Sequence, residues 1–98
     1  MTAVTIVYWR DIPAQVIAGA GRKAAKVQLS ERFEQAIDRA AMKTGAAGTD
    51  DYLAEWRKAP AYDLPGDQAE VAASEAARIE AEYDKSRLLA LIENDGRA

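Results

Sequence analysis

The first part of the chain alternates apolar and polar positions with the two-residue period of β-strands. Residues 4–10 are dense in β-branched and aromatic types, which predicts a central strand ended by Pro13. Residues 15–20 indicate a weaker second strand, and residues 25–29 alternate cleanly as a half-buried third. Because the connections between these runs are short, we expect an antiparallel meander of about three strands.

The next segment changes to the period of an α-helix. Ser30 is a suitable N-cap, and Gly45 is a natural left-handed end of the helix. Between them, one apolar stripe at helical spacing predicts the face that packs on the sheet. The stripe consists of Phe33, Ala36, Ile37, Ala40 and Ala41.

The middle of the chain is ambiguous between a helix and a strand. Thr49 followed by two aspartates suggests an N-cap, which favours a short helix over residues 50–56. Alternation of Tyr52, Ala54 and Trp56 is instead typical of a strand. Residues 57–65 contain two prolines and predict a connector, or an edge strand around residues 61–64.

From Asp67 to about Glu93 the sequence contains no proline or glycine and is rich in alanine. Asp67 and Glu70 have capping-box spacing, so we expect one long helix of roughly 40 Å. Such a rod is long for so small a domain. Part of it is therefore expected to project, kink or pair with another chain, and its late apolar residues should pack back on this chain or form a homodimer through the helix. Residues 94–98 are expected to be a frayed tail.

Together these elements predict an α+β fold in a single domain over residues 1–98. A small antiparallel sheet would be covered by two main helices, the C-terminal one long. The sheet and the helices should share one hydrophobic core. The predicted core residues are Ile6, Tyr8, Val27, Leu29, Phe33, Ile37 and Ile79.

Composition limits the chemistry that this chain can perform. The 98 residues include no cysteine and no histidine, which excludes disulfides, Cys/His metal sites and imidazole-dependent triads. The net charge of −3 divides into +2 over residues 1–58 and −5 over residues 59–98. This basic excess is too weak to favour nucleic-acid binding. We expect a cytoplasmic protein with no membrane span and no cofactor.

A polar patch beside two tryptophans is the main candidate for a binding site. Arg10 and Asp11 follow Trp9 where the first strand ends, and tryptophan and arginine are enriched in binding hot spots. The alternative is a turn-closing ion pair with Trp9 in the core. The candidate binding residues are Trp9, Arg10, Asp11, Trp56, Arg57 and Lys58.

Two further motifs have weaker functional interpretations. Residues 19–23 resemble a phosphate-binding loop, but a predicted strand follows where such a loop needs a helix, which favours a plain hairpin. The carboxylates of the C-terminal helix could bind a metal ion, yet one helix face converges on a cation poorly, which favours a solvated face. These carboxylates are Glu75, Glu80, Glu82 and Asp84.

Residues 5–16, 32–38 and 52–57 together resemble the small proteobacterial proteins called "virulence factor". A related domain occurs in longer conserved virulence factor proteins of Gram-positive bacteria, beside a NifU-like segment and HEAT repeats. The resemblance implies no catalytic residue and no cofactor. It does imply an association with folate- and corrinoid-dependent methyl transfer, because the family's genes often lie near genes of that metabolism.

The function that we expect is a non-enzymatic accessory domain that binds a protein partner. The missing nucleophile and imidazole chemistry and the over-long helix support this expectation. The alternative is a small enzyme or binding protein that uses arginine and carboxylate side chains on an anionic metabolite. A buried carboxylate with a shifted pKa in a deep apolar pocket would favour the alternative.

Overall fold

The computed structural model describes residues 1–48 and 50–98. Three strands come first along the chain, as predicted, and a main helix follows them. A short helix and two short strands then precede the last two helices. The strands are β1 (Thr2–Trp9), β2 (Ile12–Ala18), β3 (Ala25–Gln28), β4 (Trp56–Lys58) and β5 (Tyr62–Leu64). The helices are α1 (Glu31–Lys43), α2 (Asp50–Ala54), α3 (Gln68–Glu82) and α4 (Lys85–Glu93).

The strands form one antiparallel sheet, which confirms the α+β fold class. Strands β3, β2 and β1 form the predicted meander, but the sheet has five strands in place of three. Both β4 and β5 pair with β1 along its free edge, β4 opposite Val7–Trp9 and β5 opposite Thr2–Val4. Central strand β1 therefore hydrogen-bonds on both sides, as its two apolar faces indicated.

Pro13 does not end the first strand, contrary to the sequence-based expectation. The chain turns at Arg10 and Asp11, where Arg10 adopts a positive φ of 53°. Pro13 lies in β2 opposite Tyr8, next to a shift in the strand register. A proline is tolerated there because the irregular pairing does not require its missing N–H.

The core lies between one face of the sheet and the helices. Val4, Ile6 and Val16 point into it, and α1 and α3 cover them with apolar residues of their own. Five of the seven predicted core residues are buried, whereas Tyr8 and Val27 are half-buried against the cluster. The buried five are Ile6, Leu29, Phe33, Ile37 and Ile79.

Helix α1 has the predicted boundaries and the predicted buried stripe. Ser30 occupies the N-cap position, but its hydroxyl does not cap the helix. The hydroxyl instead donates a hydrogen bond to Glu80 Oε1 at 2.8 Å, which joins the start of α1 to α3. Gly45 follows the helix with a φ of 76°, the left-handed conformation expected of a terminating glycine.

The predicted long C-terminal helix is two helices, which corrects the expectation of one rod. Tyr83 leaves the helical conformation, and the carboxylate of Asp84 caps α4 by accepting from the Arg87 N–H. Arg32 donates to the carbonyl oxygens of Glu80 and Tyr83, so carbonyls near the break have partners. The break allows α4 to pack beside α1. The two leucines near the start of α4 differ in burial. Leu88 is buried, whereas Leu89 remains 37% exposed.

The ambiguous middle segment contains both a helix and a strand. Residues 50–54 form the favoured short helix α2, and Trp56 begins β4. The suggested N-cap, Thr49, lies outside the described residues. The edge strand expected around residues 61–64 is present as β5.

Residues 94–98 pack against the β1–β2 turn, where the sequence indicated a frayed tail. The Asp11 N–H donates to the Gly96 carbonyl oxygen at 2.8 Å, and the Ala98 N–H donates to Asp11 Oδ2 at 2.7 Å. Gly96 is buried beside the Trp9 ring. Among the residues that the structure describes, no helix is both long and apolar enough to cross a bilayer.

Candidate functional site

The structure brings Arg10, Asp11 and Arg57 together, as the sequence-based hypothesis proposed. Pairing of β1 with β4 places Arg57 opposite Tyr8. Arg57 Nη2 donates to Asp11 Oδ1 at 2.9 Å, and Arg57 Nε donates to the Arg10 carbonyl oxygen at 2.9 Å. The Ala98 N–H and then Arg57 hold the pKa of Asp11 below its usual value. These bonds hold the β1–β2 turn against β4.

Trp9 is fully buried, so its ring is not available to a partner. Its indole N–H donates to the Tyr52 carbonyl oxygen at 2.9 Å, and the two rings lie 5.9 Å apart. Trp56 is half-buried with its ring at an edge-to-face angle to Tyr52. The tryptophans therefore anchor α2 and β4 to the core.

Arg10 is mostly enclosed by the C-terminal segment. Its side chain is 12% exposed, lies over the Trp9 ring and donates to the Asp95 carbonyl oxygen at 2.7 Å. Arg10 Nε lies 3.6 Å from Glu55 Oε2, an ion pair too long for a hydrogen bond. Lys58 is exposed and lines a separate shallow pocket with Lys26. The candidate residues thus do not form one open surface.

Of the four helix carboxylates, Glu75 is buried within the fold, which corrects the expectation of a solvated face at that position, whereas Glu82 and Asp84 are exposed as expected. Glu75 is 7% exposed; it accepts from the Tyr62 hydroxyl at 2.5 Å and from Arg78 Nε at 2.8 Å. Hydrogen bonding from Arg78 holds the pKa of Glu75 below its usual value. Burial, together with the bond to Glu75, raises the pKa of Tyr62 to about 12. This network fastens β5 to α3.

The other carboxylates have structural partners too. Glu80 accepts from the backbone N–H and hydroxyl of Ser30 and from Arg32. Burial alone would raise the pKa of Glu80, but the hydrogen bonds from Ser30 and the charge and hydrogen bond of Arg32 together lower it. Glu82 pairs with Arg78 at 2.6 Å, and Asp84 caps α4. Within residues 1–48 and 50–98, no cluster of three or more acidic side chains could hold a metal ion.

The glycine-containing loop at residues 19–23 is the connection between β2 and β3. It includes a short 3-10 turn, Gly21–Lys23, and a strand follows it, as the hairpin interpretation required. Gly19 has a φ of 95°, and a Cβ there would meet the Gln68 side chain at 2.2 Å. Gly19 is therefore explained by its left-handed φ, with the Gln68 side chain of α3 lying close beside it.

A groove between α1 and α4 is the strongest candidate site, and the sequence-based reasoning missed it. Each helix contributes residues at i, i+3, i+4 and i+7, so each stripe runs for about 10 Å. The groove has a volume of about 220 Å³ and a largely apolar floor. Helix α1 contributes Arg32, Gln35, Ala36 and Arg39, and α4 contributes Lys85, Leu88, Leu89 and Ile92.

The rim of this groove is cationic although the whole chain is acidic. Arg32 is bound to Glu80 and to the Tyr83 carbonyl oxygen. In the part of the chain that the structure describes, neither Arg39 nor Lys85 makes an ion pair or hydrogen bond through its side chain. Among the residues that the structure describes, no carboxylate lines the groove. The groove therefore combines an apolar floor with two exposed cations that have no partner among the described residues.

Helices α1 and α4 run parallel along the groove. Arg32 in the first turn of α1 bonds to Tyr83 just before α4 begins. Lys43, the last residue of α1, donates to the Glu93 carbonyl oxygen at the end of α4 and pairs with Asp95 at 2.7 Å. The N-termini of both helices thus lie at one end of the groove, where Glu80 and Asp84 accept hydrogen bonds from them.

Comparison with protein families gives one match. The model described as "Virulence factor" matches residues 7–92 of the 98-residue chain. The chain belongs to the virulence factor family. Comparison with curated proteins and with solved structures gives no match in either case.

The family match covers the whole α1–α4 groove, from Arg32 to Ile92. It also covers Trp9, Asp11 and Arg57, but it omits the first half of β1 and the terminal segment that encloses Arg10. The signal for the groove was present in the sequence as two helical stripes of apolar and basic residues. The sequence did not indicate the break between α3 and α4. Without that break, residues 85–93 would not lie beside α1, and the two stripes would not face each other.

Proposed function

We propose that this chain is a non-enzymatic accessory domain that binds a protein partner through the α1–α4 groove. The observation that supports it is the combination of an apolar floor, which includes 37%-exposed Leu89, with the unpaired cations Arg39 and Lys85. Apolar surface flanked by unpartnered charge is typical of an interaction site. By contrast, Asp11 is paired with Arg57, and Glu75 with Tyr62 and Arg78, within the fold.

The proposal places the domain in the bacterial cytoplasm and its partner among the proteins of one-carbon and methyl-transfer metabolism. The absence of cysteine supports a reducing compartment. The metabolic link is supported by the gene association that the family resemblance implies. The residues of the groove do not indicate which metabolism the partner belongs to.

A second candidate function is binding of an anionic metabolite in the same groove. The cations Arg39 and Lys85 favour it, because they would pair with a carboxylate or phosphate. The groove is smaller than the roughly 300–1,000 Å³ typical of small-molecule pockets, and its lining includes no carboxylate for acid–base chemistry. A protein partner therefore fits the shape better.

Photo-crosslinking in the native host distinguishes these functions. A photo-crosslinking amino acid replaces Leu89 in the groove or, as the matched control, Leu53 on α2, which is 70% exposed. We expect one discrete protein adduct from position 89 that is absent from position 53. The additional change Arg39→Glu should reduce the adduct. Equal adducts from both positions, or none from either, would contradict a protein-binding groove.

A further inference from the structure

We propose that the partner segment in the α1–α4 groove is an acidic amphipathic helix. This inference rests on the proposed function and specifies the chemistry of the partner. It follows from the shape of the groove and from its charges.

The shape of the groove fits a helix. Two parallel helices side by side leave a furrow along their length, and the facing stripes extend for two turns. Ala36 and Leu88 form a buried floor, and Leu89 and Ile92 expose apolar surface beside it. Helix-in-groove recognition uses apolar anchors at i, i+3, i+4 and i+7 over such a floor.

The charges of the groove select an acidic partner. Arg39 and Lys85 lie on opposite helices, so carboxylates on both sides of an apolar stripe could reach them. Like charges facing one another are unfavourable, so a basic helix would be rejected. A second copy of this chain, related by a two-fold axis, would bring the same cations toward their own equivalents.

The test is selection from a displayed library of stable helices. Each member presents leucines at i, i+3 and i+7, with the flanking positions randomised among Glu, Gln, Ala and Lys. The intact wild-type chain should enrich helices with flanking glutamates. Enriched binders should lose affinity as salt is raised, because exposed ion pairs are screened.

Charge reversal supplies the control. Arg39→Glu with Lys85→Glu should weaken the selected acidic helix by roughly tenfold or more. Lys26→Glu with Lys58→Glu reverses two exposed charges elsewhere and should leave its affinity within about twofold. The milder Arg39→Gln with Lys85→Gln should show an intermediate loss, which guards against misfolding of the reversed variant. Circular dichroism checks that each variant is folded.

Three results would overturn the proposal. The first is enrichment of basic or neutral helices, or of none, and the second is an equal loss from both charge-reversed variants. The third is a wild-type dimer in sedimentation that Leu89→Glu dissociates, because a second copy would then occupy the groove. If position 89 still crosslinks to one partner in the host, the interaction function stands and only the acidic helix is wrong.

Discussion

The indole N–H of Trp9 donates a hydrogen bond to the carbonyl oxygen of Tyr52 at 2.9 Å, across the junction between β1 and α2. Trp9 is fully buried, and the ring of Tyr52 packs against it. This contact fixes the start of the β4 segment on the sheet. Trp9 therefore stabilises the fold through both its buried ring and its hydrogen bond.

Trp9→Ala should lower the free energy of unfolding by ~3–5 kcal/mol, the range for truncating a large buried aromatic residue. Urea unfolding followed by circular dichroism measures the loss. Trp9→Phe keeps most of the apolar volume but leaves the Tyr52 carbonyl oxygen without its donor, so its cost should be smaller. A loss below about 1 kcal/mol for Trp9→Ala would be inconsistent with a core position.

Gly96→Ala should destabilise the chain more than Gly45→Ala. Both glycines have a positive φ, of 83° and 76°, so both substitutions incur similar backbone strain. At Gly96 the new Cβ would also lie 3.1 Å from Trp9 Cζ3, whereas at Gly45 nothing lies within 4 Å. We expect an additional cost of ~1–3 kcal/mol at Gly96 from overpacking. Equal thermal shifts for the two variants would show that residues 94–98 do not pack as described.

Stability should depend on the ionisation of Glu75. Its pKa in the folded chain is lowered, chiefly by hydrogen bonding from Arg78, so its contribution is complete above the unfolded pKa of about 4.3. The contribution is lost as the pH falls through the lower, folded pKa. Glu75→Gln should therefore flatten the acid side of the curve of unfolding free energy against pH.

Glu93→Gln is the matched control for this experiment. Glu93 is exposed at the end of α4, so its substitution should leave the acid slope close to that of the wild type. The Glu75 account fails if Glu75→Gln and the wild type lose stability in parallel below pH 4.3.

Asp84 is predicted to hold the start of α4. Its carboxylate accepts from the Arg87 N–H at 2.9 Å, and loss of such an N-cap costs ~1 kcal/mol. Asp84→Ala should lower the urea midpoint accordingly and speed amide hydrogen exchange in the first turn of α4. Asp63→Ala, at an exposed position of β5, should do neither. Unchanged exchange in α4 would show that the cap does not maintain the helix.

Local patterns predicted α1 and the β1–β3 meander because their signals are short in range. The stripe from Phe33 to Ala41 and the ending glycine Gly45 specify a helix without reference to other elements. The break at Tyr83 and Asp84 is different, since both residues are compatible with a continuing helix. Its carbonyl oxygens find their partner in Arg32, about fifty residues earlier in the chain.

The candidate site was only partly predictable for the same reason. The cluster of Arg10, Asp11 and Arg57 was anticipated, but the burial of Trp9 depends on α2 and the terminal segment covering it. The groove requires α1 and α4 to lie side by side. Spacing along each helix shows a stripe, whereas only the tertiary fold shows which stripe faces which.

The groove account depends on direct pairing between its rim cations and carboxylates of the partner. A double-mutant cycle tests this, with Arg39→Glu on this chain combined with Glu→Lys at each acidic position of the crosslinked partner helix. Isothermal titration calorimetry measures the four affinities of each cycle. We predict that one charge-swapped pair regains binding, with a coupling energy of more than ~1 kcal/mol. Coupling energies within about 0.3 kcal/mol of zero at every acidic position would contradict recognition through the groove.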